Sequence, residues 1–242
     1  AKPVMLEMGG KSPQIVFEDA VDIKDLGASL AQSAFYNTGQ LCVARTRLIV
    51  HENIKEQILD SVHQETKNVF TIGNPLDEKT TFGPIANQQQ YERVCSYLNL
   101  GKNEGANLQT LSTSGIPPEC GYFLQPTIFD NANNAMRICQ EEIFGPILSV
   151  ISFKTDDEAI HLANDVNYGL AATAWTRDLG RSRRLARDLE VGSLEIRAAT
   201  GGGATPNALT EEPFGASGHG AVGGRRGLEP YMRLKAVQII TD

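Results

Sequence analysis

Gln14-Ile15-Val16-Phe17, a helical run through Ile23, Leu26, Leu30 and Phe35, and then Arg47-Leu48-Ile49-Val50 form the succession that decides the fold. Both short runs are apolar and rich in β-branched residues, which marks buried strands. Between them the apolar residues recur at helical spacing. Asp22 stands where a helix cap belongs. Gly39, within Asn37 to Cys42, breaks that helix.

The alternation continues outward. A long helix is expected from about Glu52 to Phe70, with Ile54, Ile58, Leu59, Val62 and Val69 on its apolar side. Gly73-Asn74-Pro75 ends it. Gln88 to Gly101 reads as a further helix, and Asn103 to Gly121 as a polar surface turn region with little secondary structure. Phe123-Leu124 and Thr127-Ile128-Phe129 flank Pro126 as an interrupted edge strand. Pro146 to Ile151 is a buried strand, Asp156 to Asn164 a helix and Ala171 to Trp175 a strand. An arginine-rich helix, Leu179 to Leu189, and a strand, Ser193 to Ile196, follow. Strands alternating with helices predict an α/β fold around a twisted, doubly wound, largely parallel sheet. Thr200 to Gly227 is glycine-rich and reads as a long loop. A final helix near Leu228 and a strand at Ala236 to Ile240 close the chain.

Composition narrows the function classes. The 242 residues suffice for one large domain or two small ones. Hydrophobic residues make up 41% and charged residues 21%, as in soluble globular proteins. A formal charge of −7 argues against a nucleic-acid surface. No apolar run approaches the roughly 20 residues of a membrane span. Cys42, Cys95, Cys120 and Cys139 form no Cys-x-x-Cys pair, so neither a metal site nor a redox dithiol is expected. A reduced, cytoplasmic protein is the simplest expectation. The start at Ala1-Lys2-Pro3-Val4 suggests a processed product or a piece of something longer.

Two residues carry chemistry. A lone cysteine is most often a small buried hydrophobe. Cys42 instead sits in a glycine-containing turn that feeds a strand. Exposed N–H groups there could hold an oxyanion, and Arg45 or Arg47 could favour the thiolate. Glu7 precedes Met8-Gly9-Gly10, and a carboxylate lodged in such a cleft can act as a general base.

Leu6-Glu7-Met8-Gly9-Gly10-Lys11-Ser12-Pro13 closely resembles the glutamate motif of the aldehyde dehydrogenase superfamily. Gly39-Gln40-Leu41-Cys42 resembles its cysteine motif, about 35 residues later. Phe82-Gly83-Pro84-Ile85, Gly121 to Thr127, Glu141 to Pro146, Asn167 to Ala172 and Trp175-Thr176 resemble further motifs, in family order. The resemblance implies the catalytic-domain fold of that family. It implies an NAD- or NADP-dependent oxidation of an aldehyde to a carboxylic acid. Cys42 would be the nucleophile, through a thiohemiacetal and a thioester, and Glu7 would activate water. Glu142 would hydrogen-bond the ribose beside the nicotinamide, with Phe144 near that ring. Gln90, with Arg93, would touch the adenosine side. Phe214 would border the substrate pocket.

Family chains are about twice this length, and nothing here reads as their dinucleotide-binding domain. The resemblance therefore implies an excised catalytic half, inactive alone. Residues 1–8 would be a remnant of the cofactor-domain junction, 9–216 the catalytic domain, and 217–242 a C-terminal segment. Ala236 to Ile240 could be an oligomerisation strand, because the family forms homo-oligomers. Departures lie at Ile196-Arg197, where an asparagine is usual, and in the shortened Pro213-Phe214-Gly215-Ala216-Ser217-Gly218. A CoA-acylating relative is disfavoured because Glu7 is retained. A non-catalytic structural module is disfavoured by the intact Glu7 and Cys42 pair.

Overall fold

The strands that the sequence marks as apolar lie in one sheet with both faces covered. The computed structural model describes residues 2, 4–20, 23–199 and 209–241, and the backbone alone for residues 23–25. A two-residue strand β1 (Leu6–Glu7) precedes β2 (Pro13–Val16). Helix α1 (Ile23–Phe35) leads to β3 (Arg47–His51), and α2 (Lys55–Val69) leads to β4 (Thr71–Ile72). Helix α3 (Gln88–Asn103) precedes β5 (Asn107–Thr110), β6 (Ser114–Gly115) and β7 (Thr127–Asp130). The single turn α4 (Arg137–Gln140) precedes β8 (Ile147–Phe153), and α5 (Asp156–Asn164) precedes β9 (Tyr168–Gly169) and β10 (Ala171–Trp175). Helix α6 (Leu179–Asp188) precedes β11 (Ser193–Arg197), and β12 (Phe214–Gly215) and β13 (Gly218–His219) follow.

The main sheet runs β11-β10-β2-β3-β8-β7-β5, parallel except for the last pair. Alternate strand residues point to opposite faces. Val16, Leu48, Val50, Ile128, Leu148 and Val150 face α1 and α2. Ile15, Phe17, Ile49 and Phe153 face α5 and α6, and Phe129, Ile147 and Ile151 face α3 and α4. Helices on both faces explain why the strands read as continuous apolar runs rather than as alternating ones. Asn87, Thr155 and Asp178 cap α3, α5 and α6 with side-chain oxygens.

Several expectations need correction. Residues 103–121 hold β5 and β6, and β5 extends the main sheet, where Gln109 contacts His63 at 2.7 Å. Polar residues suit this strand because it is the sheet edge. The strand expected at an edge, β7, is therefore internal. Pro126 sits just before it, where a missing N–H costs nothing. The helix expected from Glu52 begins as a 3-10 turn, Glu52–Ile54, before α2. The final helix is a 3-10 segment, Arg226–Tyr231, interrupted by Pro230. Ala236 to Ile240 forms no strand and is exposed, because no strand among the described residues meets it. Asp22 and residues 200–208 lie outside the described residues. The rest of the expected loop is tied down: β12 pairs with β9, β13 with β1, and Glu211 bridges Val222.

Two cations sit inside. The Arg47 guanidinium donates to the Lys11 carbonyl at 2.8 Å, to Asn134 Oδ1 at 3.3 Å, and to the Leu162 and Ala163 carbonyls at 2.9 and 2.8 Å. The last two are at the C-terminal end of α5, where a cation is favoured. Burial still lowers its pKa to about 10. Lys11 is buried, and its Nζ has no hydrogen-bond partner among the described residues. Burial pushes it down to about 7 from 10.5. Between those values the unfolded chain binds a proton that the folded chain has released. The cost of burying the charge is full below about pH 7 and is relieved as pH rises through the window. Unfolding free energy should climb by a few kcal/mol across it. Lys11→Met should flatten that climb in urea titrations, and an unchanged slope would refute the assignment.

Candidate active site

The motif residues gather at one edge of the sheet because each precedes a parallel strand. Gly9-Gly10 lead into β2, Cys42 leads into β3, Glu142 to Phe144 lead into β8, Leu170 into β10 and Gly192 into β11. This is the amino edge of the sheet.

The Cys42 turn is held from two sides. Asn37 and Thr38 adopt left-handed backbone, with φ of 51° and 58°. Thr38 Oγ1 donates to the Gly83 carbonyl at 3.1 Å, and Gln40 Nε2 donates to the Pro84 carbonyl at 3.3 Å. Gln40 Oε1 accepts from the Ala86 N–H at 2.9 Å. Phe82 to Ala86 thus braces the turn. On the other side, Arg45 donates to the Val43 carbonyl at 2.6 Å and to Thr173 Oγ1 at 3.2 Å. Arg45 or Arg47 was expected to favour the thiolate. Neither guanidinium donates to Cys42, because carbonyls and amide or hydroxyl oxygens occupy their N–H groups. Cys42 is partly exposed, and no acceptor among the described residues takes its backbone N–H.

Glu7 is placed by strand pairing. It sits opposite Gly218, and the next N–H, of Met8, donates to the Ser217 carbonyl at 3.0 Å. Ser217 is buried, and its Oγ accepts from the Gly169 N–H at 3.1 Å. A β-carbon on Gly10 would lie 2.3 Å from the Cys42 carbonyl oxygen, so only glycine lets the two motifs meet. They do meet. Glu7 and Cys42 line one cavity with Val43, Leu170, Gly192, Glu211, Pro213 and Val222. Phe214 is not in this lining. It pairs with Gly169 and is half exposed, while its neighbour Pro213 faces the cavity. Glu211 was not singled out by sequence. Nothing local separates it from Glu212; the bridge to Val222 turns it inward.

The Glu142 loop lies beside this cavity. Glu142 Oε1 accepts from the Gly10 N–H at 2.9 Å. A β-carbon on Gly9 would lie 2.5 Å from Glu142 Oε2. Phe144 is partly exposed, with φ of 59°. Gln90 Nε2 donates to the Ile143 and Phe144 carbonyls at 2.9 and 2.8 Å, and Arg93 donates to the Glu142 carbonyl at 2.8 Å. Both side chains therefore clamp the loop backbone. Arg137 and Tyr97 bind Glu141, and the Arg137 hydrogen bond leads in holding that carboxyl below its usual range. Burial, and then Glu141, pushes Tyr97 up to about 12. A larger cavity of roughly 420 Å³ contains Asn131, Asn134 and Glu158 at the opposite edge of the sheet, and none of the expected residues reaches it.

The family model described as the aldehyde dehydrogenase family matches residues 1–237. The chain belongs to the aldehyde dehydrogenase family. It is 41% identical over 246 residues to betaine aldehyde dehydrogenase of Brucella anthropi, covering 98% of this chain and 48% of that protein. It is 40% identical over 247 residues to the peroxisomal aminoaldehyde dehydrogenase 1 of Pisum sativum, covering 100% and 47%. An indole-3-acetaldehyde dehydrogenase solved with NAD+ superposes with a TM-score of 0.87 at 41% identity, covering 96% of this chain and 46% of that one. The chain thus spans about half the length of these aldehyde dehydrogenases. No helix among the described residues is long and apolar enough to cross a membrane.

Gly10→Ala should push the two motifs apart. The expected cost is about 1–3 kcal/mol in chemical denaturation, with a marked drop in the alkylation rate of Cys42. Unchanged stability and alkylation would refute this close approach.

Proposed function

We propose that this chain is the catalytic half of an enzyme that oxidises an aldehyde to a carboxylic acid with NAD or NADP. The convergence of Cys42 and Glu7 on one cavity carries the reading. Cys42 Sγ bonds to the aldehyde carbon, and the carbonyl pair moves to oxygen, where the free Cys42 N–H stabilises it. Bound nicotinamide dinucleotide supplies the hydride acceptor that turns the thiohemiacetal into a thioester. Glu7 takes a proton from water as its oxygen attacks the thioester carbon. The C–S bond breaks and Cys42 leaves as thiolate.

Residues for the nicotinamide end fit. Glu142 Oε2 has no hydrogen bond among the described residues and suits a ribose hydroxyl, and the Phe144 ring is available beside it. Gln90 serves that end by holding the loop, since its amide already binds two carbonyls. The neighbour solved with NAD+ supports this cofactor. Phe214 borders the substrate entrance rather than the inner cavity. Residues 1–8 belong to the junction with a cofactor domain, 9–216 to the catalytic domain and 217–242 to the C-terminal segment. Exposed Leu234, Val237, Ile239 and Ile240 support a homo-oligomer contact in the complete enzyme. Four free thiols suit a reducing compartment such as the cytoplasm.

The 242 residues alone should form no NADH from aldehyde, because they span about half of their relatives and no Gly-x-Gly-x-x-Gly opens a βαβ unit near the start: the one such string, Gly218 to Gly223, follows a two-residue strand and leads into no α-helix; robust NADH formation would overturn that expectation. Half of the chemistry needs no cofactor. An activated ester such as p-nitrophenyl acetate should acylate Cys42 in a burst of p-nitrophenolate. Cys42→Ala should abolish the burst. Glu7→Gln should keep the burst and slow later turnover by roughly 10²-fold. A burst that survives Cys42→Ala would remove Cys42 as nucleophile.

A further inference from the structure

We propose that Glu211 makes the Glu7–Cys42 cavity select aldehydes that carry a positive charge, such as an ammonium group. The inference rests on Cys42 being the nucleophile of that cavity. Glu211 lines it, and a pair of backbone hydrogen bonds with Val222, both 2.8 Å, holds the stretch in place. The Ser193 hydroxyl donates to Glu211 Oε1 at 3.0 Å, and no cation bonds to the carboxylate among the described residues. By contrast, its neighbour Glu212 pairs with Arg226 at 3.6 Å.

The surrounding charges leave the cavity with a net negative charge. Glu195 and Arg197 pair at 2.7 Å and cancel. Arg45 lies within electrostatic reach of Glu211 but donates its N–H groups to the Val43 carbonyl and the Thr173 hydroxyl rather than to the carboxylate. Glu7 and Glu211 together against Arg45 leave a formal charge of −1. Among the described residues no lysine, arginine or histidine lines the cavity, and its other walls are Val43, Leu170, Gly192, Pro213 and Val222. Apolar walls weaken dielectric screening, so a cation near Glu211 is attracted and an anion is repelled. Glu7 is needed for proton transfer. Glu211 has no role in that step, so its charge is free to act on the substrate.

Charged thiol reagents read this field directly and need no cofactor. The Cys42 thiolate displaces methanesulfinate from a methanethiosulfonate reagent and forms a mixed disulfide. Rates at Cys42 are measured by peptide mass for the trimethylammonium-ethyl and sulfonatoethyl reagents. Their ratio is divided by the same ratio for N-acetylcysteine amide, a neutral thiol. This normalised preference for the cation should be roughly five- to tenfold. It should collapse in high salt. It should fall toward one in Glu211→Gln, which keeps an acceptor for Ser193, and should persist in Glu212→Gln. A normalised ratio near one, or one unchanged by Glu211→Gln, overturns the inference while leaving Cys42 as nucleophile. A Cys42 that neither reagent modifies faster than buried Cys139 removes the nucleophile, and the inference with it.

Discussion

The backbone at Gly10 runs so close to the Cys42 carbonyl that no β-carbon fits between them. Most of the site follows from that approach. It brings the strand carrying Glu7 against the turn carrying Cys42, and the same segment offers the Gly10 N–H to Glu142. Three stretches far apart in sequence thereby share one small volume. The turn itself cannot drift, because Thr38, Gln40 and Arg45 fix it through carbonyls on two sides. Ser217 closes the arrangement by joining the Glu7 strand to Gly169.

Beneath this edge lies a layer of buried charge. Arg47 ties the carbonyl of Lys11 to Asn134 and to the end of α5. Its planar fork suits several carbonyls at once, which a lysine could not match. Lys11, one residue after Gly10, is as fully buried, and its Nζ has no hydrogen-bond partner among the described residues. Desolvating two cations opposes folding. The apolar layers on both sheet faces offset it, and the bonds of Arg47 turn part of that cost into rigidity under the Glu7–Cys42 cavity.

Where the sequence reading succeeded and where it failed have separate causes. Apolar runs such as Ile15-Val16-Phe17 and Leu48-Ile49-Val50 were legible because both faces of a parallel sheet are buried. β5 was not legible, since an edge strand with Asn107 and Thr110 exposed needs little hydrophobicity. Ala236 to Ile240 has strand-like composition but finds no partner strand among the described residues, and composition alone cannot supply one. Gln90 was read as a cofactor contact, yet its amide is already engaged by the Glu142 loop. That engagement depends on where α3 packs, which no local pattern encodes.

By itself the sequence determined the fold class and the family, and it singled out Cys42, Glu7, Glu142 and Phe144 as candidates. Each of these depends on local patterns: periodicity, glycine placement and ordered motifs. Only the tertiary structure decided which side chains share the cavity. It turned Glu211 inward and left Glu212 at the surface, placed Pro213 in the lining instead of Phe214, and directed Arg45 away from the thiol. The physical reason is that strand register and close backbone approach set the direction of a side chain, and both come from partners distant in sequence.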